Sequence, residues 1–369
     1  MEEKTIRVLM VLPGLNVCGG MESFIMNYFR NINRERVMFD FVTHNISENS
    51  YVEEIQSLGG KIYQLPPFSL KSVKTIKKRV KQILAENDYK IIHCHMANAA
   101  FLYLSVAKKA GIPIRILHSH QDKAADSFAH AVRNVPLIYF GLHYCNYRIA
   151  CSNIAGRYLF KNQKYTIVNN AINYEDYEFN SELRDEVRRE LGFTDEIVIG
   201  HTGRLCPQKN QLFLLKIMKK LKDRQFNVKL ILVGEGEDRD YLEHATMEMG
   251  LSNYVTFLGA RKDIRRLLQA MDLFVFPSIY EGLGISVLEA QAASLLTYCS
   301  TGVPDEANIS GEMFYLSLDK GEEYWTNQIV TRIEEGIERN NEQILSKEYD
   351  IREKADELTK LYLELEASC

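Results

Sequence analysis

Two glutamates flank a glycine turn in the stretch SIYEGLGISVLEAQAA. Glu281 precedes the turn, and Glu289 lies one to two turns into the helix that ISVLEAQAA is expected to form. That helix would direct the backbone N–H groups of Gly284, Ile285 and Ser286 toward an anion. A carboxylate that accepts two hydrogen bonds suits the paired hydroxyls of a ribose or another sugar. The alternative is that both glutamates are ordinary solvated acids near a helix end.

Basic residues and glycines follow two further apolar runs. In GHTGRLCPQKNQ, Arg204 and Lys209 come after Gly203, in a loop above a predicted strand end, where both cations could converge on one diphosphate. A solvated surface Arg and Lys would give the same spacing. In LVGEGEDRDYL, Gly234 and Gly236 permit a tight turn and a close approach of the backbone to a ligand, and Glu235 between them is a candidate binding residue.

Two histidine pairs and one pair of aspartates have the residue types of metal ligands. His93 and His95 of HCH project to the same side of a strand, because side chains alternate along it. No further ligand lies at a suitable spacing, so a structural or cleft-edge role is favoured for both. His118 of HSH ends a strand that faces the expected cleft, which favours a catalytic or substrate role, whereas His120 fits either role equally. Asp238–Asp240 opens a helix, where acids are stabilised by the helix dipole. The sequence therefore predicts no metal site.

Short β-rich runs alternate with helical patterns along the chain. The first series extends to about residue 170 and comprises TIRVLMVL, FDFVTH, KIYQL, KIIHCHM, IRILHSH, YRIACS and YTIVNN. The second begins after residue 180 and comprises EIVIGHTGR, VKLILVGEG, NYVTFLG, LFVFPS and LLTYCS. This alternation predicts an α/β protein with two Rossmann-like, doubly wound domains, covering residues 1–170 and 171–350. Ligands bind at the carboxyl ends of such strands, so we expect the site in a cleft that the two domains face.

Composition agrees with a two-domain soluble protein of 369 residues. The first apolar run is too short for a signal peptide or a membrane span, and seven cysteines without a C-x-x-C pair indicate a reducing cytoplasm. A nicotinamide dehydrogenase is disfavoured, because no G-x-G-x-x-G follows a strand at the head of either series.

Charge is divided between the two halves of the chain. Residues 1–170 hold 22 Lys and Arg against 12 Asp and Glu, although the net charge of the whole chain is −4. Part of this excess lies in Lys71–Leu84, whose pattern predicts a helix with one apolar face. The helix is either a solvated helix packed on the sheet or a surface that rests on anionic lipid at the inner face of the membrane. Nucleic acid is disfavoured, because no groove-reading or base-stacking motif accompanies the charge.

Several motifs together resemble one enzyme family. EGLGISVLEAQA resembles the donor motif of the retaining glycosyltransferase family 4, of GT-B fold. GLNVCGGMESF, NNAINYEDY and GRLCPQKN resemble its Gly-Gly-x-Glu loop, its interdomain Asn-Gly-Ile-Asp-x-x-x-Phe segment and its Gly-Arg-x-x-x-x-Lys-Asn loop. ILHSHQ and STGVPDEANIS are similar to bacterial capsular and exopolysaccharide members. The chain departs from the family pattern at Ser294 and Leu296, where the family usually has Gly and Pro, and at Ala171, where it has Gly.

The resemblance implies a metal-independent enzyme that uses a nucleotide sugar, with UDP favoured, and no cofactor. Glu289 would bind the ribose hydroxyls, and Glu281 the hydroxyls of the transferred sugar. Arg204 and Lys209 would neutralise the departing diphosphate, and the Gly19–Gly20 loop would approach it from the first domain.

The resemblance also assigns the acceptor to the first domain. His118 would lie near the reacting carbon, with His120 and Glu22 on the side of a glycan or lipid-linked acceptor. The final helix, residues 351–369, would return to the first domain. Two competing hypotheses remain: a sugar-nucleotide 2-epimerase of the same fold, and a non-catalytic glycosyltransferase-like partner subunit.

Overall fold

The computed structural model describes residues 5–17, 20–69, 71–120, 128–342 and 345–369, without the side chains of 128–133. The chain divides into two compact units. One comprises Met1–Ala171 together with Glu348–Cys369, and the other comprises Ile172–Lys347.

A parallel sheet forms the centre of the first unit. Its strands are β1 (Ile6–Val11), β2 (Val37–Thr43), β3 (Ile62–Gln64), β4 (Ile91–Cys94), β5 (Ile114–Ser119), β6 (Tyr147–Ala150) and β7 (Thr166–Ile167). Their order is β3-β2-β1-β4-β5-β6-β7, so the direction of winding reverses between β1 and β4. β1 and β4 are almost wholly buried, as their continuous apolar runs require of strands covered on both faces.

Six helices connect these strands. They are α1 (Gly20–Asn31), α2 (Val52–Ser57), α3 (Val73–Glu86), α4 (Ala100–Lys109), α5 (Phe128–Tyr144) and α6 (Asn153–Phe160). α3 buries Ile76, Val80, Ile83 and Leu84, and its lysines face solvent, so the predicted amphipathic helix is confirmed.

The second unit repeats this plan. Its strands are β8 (Ile197–Thr202), β9 (Val228–Val233), β10 (Val255–Gly259), β11 (Leu273–Phe276), β12 (Leu296–Ser300) and β13 (Phe314–Leu316). All pair in parallel, in the order β10-β9-β8-β11-β12-β13, with the reversal between β8 and β11. Its helices are α7 (Ser181–Leu191), α8 (Gln211–Asp223), α9 (Arg239–Glu248), α10 (Ile264–Ala270), α11 (Ile285–Ala292) and α12 (Gly321–Glu335).

The last helix, α13 (Ile351–Ala367), belongs to the first unit and packs on α1. Its buried side chains recur at steps of three and four residues, among them Leu358 and Tyr362. The Tyr362 hydroxyl reaches His93 at the end of β4. The C-terminal segment therefore touches the polar edge of the first sheet as well as its helical layer.

Every strand in the two predicted series is present, and the two doubly wound sheets are confirmed. The short edge strand β13 was missed, because three residues carry too little pattern to predict. Among the described helices, none combines the length and apolar character needed to cross a bilayer.

Candidate active site

The reversal point of the second sheet brings one cation and one carboxylate together. Lys209 ends a short 3-10 turn after β8, and Glu281 follows β11. Lys209 Nζ lies 2.6 Å from Glu281 Oε1, with side-chain exposures of 15% and 7%. The same Nζ lies 4.5 Å from the centre of the Phe276 ring, close enough for a cation–π contact. The pair that the sequence assigned to two parts of a ligand is thus already in contact.

Arg204 lies in the same loop but has a different environment. Its side chain is half exposed, and its guanidinium lies 3.5 Å from the Glu237 carboxylate. Arg204 and Lys209 therefore each have an acidic neighbour of their own. The loop backbone is fixed by Gln211, which donates to the Arg204 carbonyl at 2.9 Å and lies 3.2 Å from His201 Nε2.

Glycines let the loops after β8 and β9 touch through their backbones. A Cβ added to Gly234 would lie 1.9 Å from the carbonyl oxygen of Gly203, so a larger residue does not fit. Glu235, the next residue, is exposed and pairs with Arg239 at 2.9 Å. The predicted close approach at Gly234 is therefore made to the neighbouring loop.

The turn after β11 leads into α11 as the sequence predicts. Gly284 adopts φ +87°, a conformation that favours glycine, and α11 begins at Ile285. Ser286 belongs to its first turn. Glu289 projects from the same helix and accepts a hydrogen bond of 2.8 Å from the Tyr177 hydroxyl. Tyr177 occupies the Phe position of the interdomain motif, so its hydroxyl is a feature that the family pattern does not supply.

Four histidine rings cluster at the edge of the first sheet. His93 and His95 stack at 4.2 Å between ring centres, and His118 and His120 stack at 4.1 Å. His93 Nε2 lies 3.1 Å from His118 Nδ1, and His95 Nδ1 lies 2.8 Å from His120 Nε2. Sequence spacing offered no further ligand for His93 and His95, but the structure places His118 and His120 beside them, because spacing does not reveal neighbours on the adjacent parallel strand.

His93, His95 and His118 are buried, and His120 is partly exposed. Burial lowers the pKa of His93 and of His120 to about 3, and it lowers the pKa values of His95 and His118 well below the ordinary value. Ring nitrogens of His93, His95 and His118 lie within 4.8 Å of one another, a grouping that could ligate a metal ion. Both ring nitrogens of His93, however, are engaged by Tyr362 and His118.

Glu22 lies in the first turn of α1 and is 8% exposed. Burial raises the pKa of its carboxyl to about 7, although a hydrogen bond from its own backbone acts in the opposite direction. Gly20 is the first residue of α1, whereas Gly19 lies outside the described residues.

Comparisons with known proteins identify the family. Residues 18–176 match the family model Glycosyltransferase Family 4, and residues 184–316 match Glycosyl transferases group 1. EpsF, an inferred glycosyltransferase of Bacillus subtilis (strain 168), is 31% identical over 369 residues, covering 96% of each chain. This chain belongs to glycosyltransferase family 4.

Other relatives agree with the resemblance and with the fold. The capsular polysaccharide biosynthesis glycosyltransferase CapH of Staphylococcus aureus is 25% identical over 297 residues, covering 77% of this chain and 78% of CapH. The crystal structure of Anabaena HepE in complex with UDP-glucose has a TM-score of 0.82 at 19% identity, covering 97% of this chain and 100% of HepE. The GT-B fold of this glycosyltransferase is therefore confirmed, as is its resemblance to capsular members.

The raised pKa of Glu22 predicts a pH-dependent stability. Folding favours the protonated carboxyl, so its stabilising effect is present below the ordinary pKa of 4.5 and is lost as the pH rises to about 7. Glu22→Gln should match wild type below pH 4.5 and exceed it by about 3 kcal/mol above pH 7.

Thermal unfolding of both proteins between pH 4 and pH 8 measures this difference. Glu53→Gln, at an exposed position of α2, is the matched control and should show no pH-dependent difference. A Glu22→Gln difference that stays constant across the range would contradict burial as the cause.

Proposed function

We propose that this glycosyltransferase transfers a sugar from a UDP-sugar to a bacterial surface polysaccharide precursor, with retention of configuration and without a metal ion. The observation that carries the proposal is the Lys209–Glu281 pair beside the Gly284 turn, with Glu289 on the following helix. The names of two similar proteins support it: CapH is named for capsular polysaccharide biosynthesis, and the HepE structure contains UDP-glucose.

The proposed chemistry places phosphate charge on the second unit. The bond between the anomeric carbon and the diphosphate oxygen breaks while the acceptor hydroxyl attacks from the same face of the sugar. The departing phosphate oxygen accepts the proton of that hydroxyl, so no protein base is needed. Lys209 and Arg204 would stabilise the charge that develops on the leaving diphosphate, the task that a metal ion performs elsewhere. No cofactor besides the donor is required.

Glu289 would bind the ribose of the donor. Its Oε1 accepts from Tyr177, which fixes the carboxylate in one orientation. The two hydroxyls of a ribose would donate hydrogen bonds to this carboxylate, because an ionised carboxylate is a hydrogen-bond acceptor. Glu281, held by Lys209, would contact hydroxyls of the transferred sugar.

The first unit would bind the acceptor, a lipid-linked or oligosaccharide chain, with His120 and Glu22 on that side. Its basic excess and the lysine-covered face of α3 support a location at the inner face of the membrane. The described lysines of this face, Lys74, Lys77, Lys78 and Lys81, are all exposed.

The donor site predicts a nucleotide-dependent stabilisation in EDTA. A UDP-sugar at 100 times its dissociation constant should add about 2.7 kcal/mol to the unfolding free energy of wild type. Glu289→Ala should lose this gain, whereas Glu248→Ala, on the exposed end of α9, should keep it. Thermal shift with UDP-, GDP- and ADP-sugars measures the effect and identifies the base. Failure of every nucleotide at millimolar concentration would refute the donor site.

The proposed role of the two cations Lys209 and Arg204 predicts that replacing either one slows sugar transfer. Lys209→Met or Arg204→Met should lower the transfer rate by about 10²–10³, as for other fixed groups that stabilise developing charge. Lys216→Met removes an exposed lysine of the same unit and should retain full rate.

Transfer of radiolabelled sugar to a lipid-linked acceptor, with NMR of the anomeric proton, measures both rate and stereochemistry. An inverted product would contradict retention. Turnover of donor alone would indicate the epimerase, and donor binding without any turnover would indicate the partner subunit.

The basic face of α3 predicts salt-sensitive binding to anionic vesicles. Each lysine near the surface contributes roughly 1 kcal/mol, so replacing Lys74, Lys77, Lys78 and Lys81 by Gln should abolish sedimentation with phosphatidylglycerol vesicles at low salt. Replacing Lys216, Lys219, Lys220 and Lys222 in the second unit removes the same charge and should leave sedimentation intact. If wild type does not sediment, α3 is only a solvated helix.

A further inference from the structure

A chain of buried hydrogen bonds connects the C-terminal helix to His118. The Tyr362 hydroxyl lies 2.7 Å from His93 Nδ1, and His93 Nε2 lies 3.1 Å from His118 Nδ1. All three side chains are at most 2% exposed. Because β4 and β5 are paired in parallel, His93 and His118 come from neighbouring strands, whereas Tyr362 comes from α13. The far nitrogen of the chain, His118 Nε2, has no partner among the described residues.

Two directions are open to the protons along this chain. In the first, Tyr362 donates to His93 Nδ1, His93 Nε2–H donates to His118 Nδ1, and His118 carries its proton on Nε2. In the second, every bond is reversed: His118 Nδ1–H donates to His93, and His93 Nδ1–H donates to the Tyr362 oxygen.

The number of unpaired groups decides between these directions. The first direction leaves one buried group, the His118 Nε2–H, without a hydrogen-bond partner among the described residues. The second leaves two, the lone pair of His118 Nε2 and the Tyr362 O–H, for which His93 is the hydrogen-bond partner that the structure shows. Each unpaired buried group retains its desolvation cost, so the first direction is favoured.

The ionisation of the groups agrees with a single proton on each ring. Burial lowers the pKa values of His93 and His118, and the neighbouring rings of His95 and His120 act in the same sense. Burial also raises the pKa of Tyr362, so its hydroxyl stays protonated and can act as a hydrogen-bond donor. The described groups around the chain are otherwise aromatic or apolar, among them Phe24 and Met10.

An internal cavity of the first unit adjoins the rings. It has a volume of about 10 Å³, room for about one water-sized group, and is lined in part by His93, His95, His118 and Tyr362. An oxygen atom of this size would satisfy the buried Nε2–H of His118, which otherwise has no partner among the described residues. A hydroxyl or a water molecule, each of which accepts a hydrogen bond, has the required chemistry.

We propose that Tyr362 and His93 are positioning residues that hold His118 as the neutral Nε2–H tautomer. His118 then donates a hydrogen bond from Nε2 to the oxygen atom of a hydroxyl or a water molecule, and it does not act as a base. The role of that oxygen in transfer rests on the proposed function. The tautomer itself does not, because it is a property of the protein without substrate.

Long-range ¹H–¹⁵N correlation spectra of the full chain labelled with ¹⁵N-histidine test the proposal. His118→Gln assigns the signals. In wild type we expect the His118 proton on Nε2. Tyr362→Phe removes the donor that sets the direction, so the two His118 nitrogens should move toward averaged shifts. Tyr89→Phe is the matched control: this buried tyrosine of the same unit donates to Asp40 at 2.7 Å and does not line the cavity, so its loss should leave the pattern unchanged.

A proton on Nδ1 of His118 in wild type would overturn the proposal, and so would a Tyr362→Phe spectrum identical to wild type. The wild-type spectrum decides the direction even if Tyr362→Phe does not fold. In an active enzyme, Tyr362→Phe should lower kcat/KM about tenfold, the scale of one ordinary hydrogen bond, and Tyr89→Phe should not. An Nε2–H tautomer in a protein that transfers no sugar would refute the proposed function and leave the hydrogen-bond chain standing.

Discussion

The reversal of strand order in each parallel sheet is the constraint on which the candidate site depends. Where winding reverses, the loops after two neighbouring strands leave toward opposite faces, and the sheet edge between them stays open to a ligand. In the second unit these strands are β8 and β11, which are followed by Lys209 and Glu281. In the first unit they are β1 and β4, which are followed by Glu22 in α1 and by His95. The strands themselves are buried and mostly apolar, so chemistry is confined to these loops and strand ends.

The Lys209–Glu281 pair shows how the second unit keeps charge in a poorly solvated place. Removing one partner of such a pair would leave the other uncompensated, at a cost of about 3–5 kcal/mol. The Phe276 ring lies against the ammonium, and the buried His201 ring stacks on Phe276 at 5.3 Å between ring centres. The structure thus holds the cation in one place without a ligand. On the proposed function, this would let Lys209 stabilise the charge that develops on a diphosphate without reorganisation.

Sequence patterns predicted what depends on periodicity and local turn chemistry. Apolar runs predicted the strands, and Gly284 marked the start of α11. Contacts between distant segments could not be predicted this way: Tyr177 lies 112 positions from Glu289, and Tyr362 lies 269 from His93. Ser294 illustrates a third case, since it adopts φ +54° where the family usually has Gly. The turn geometry is kept there by surrounding structure, at a local strain that the sequence alone does not show.

The two units differ in the kind of polar group that they supply. The second unit offers charged groups: on the proposed function, Lys209 and Arg204 would attract the diphosphate of any donor, and the Glu281 carboxylate would contact sugar hydroxyls. The first offers neutral imidazoles, whose fixed N–H groups and lone pairs respond to the position of a hydroxyl. A site built to hydrogen-bond a hydroxyl can reject an analogue lacking it by about 10⁴–10⁵, because its own buried group is then left unpaired. On the proposed function, leaving-group stabilisation would belong to Lys209 and Arg204. Recognition of sugar hydroxyls would be shared by Glu281 and by His118, whose tautomer is set by Tyr362 and His93. A change in α13, remote in sequence from both, would then alter specificity without touching the charge that drives the reaction.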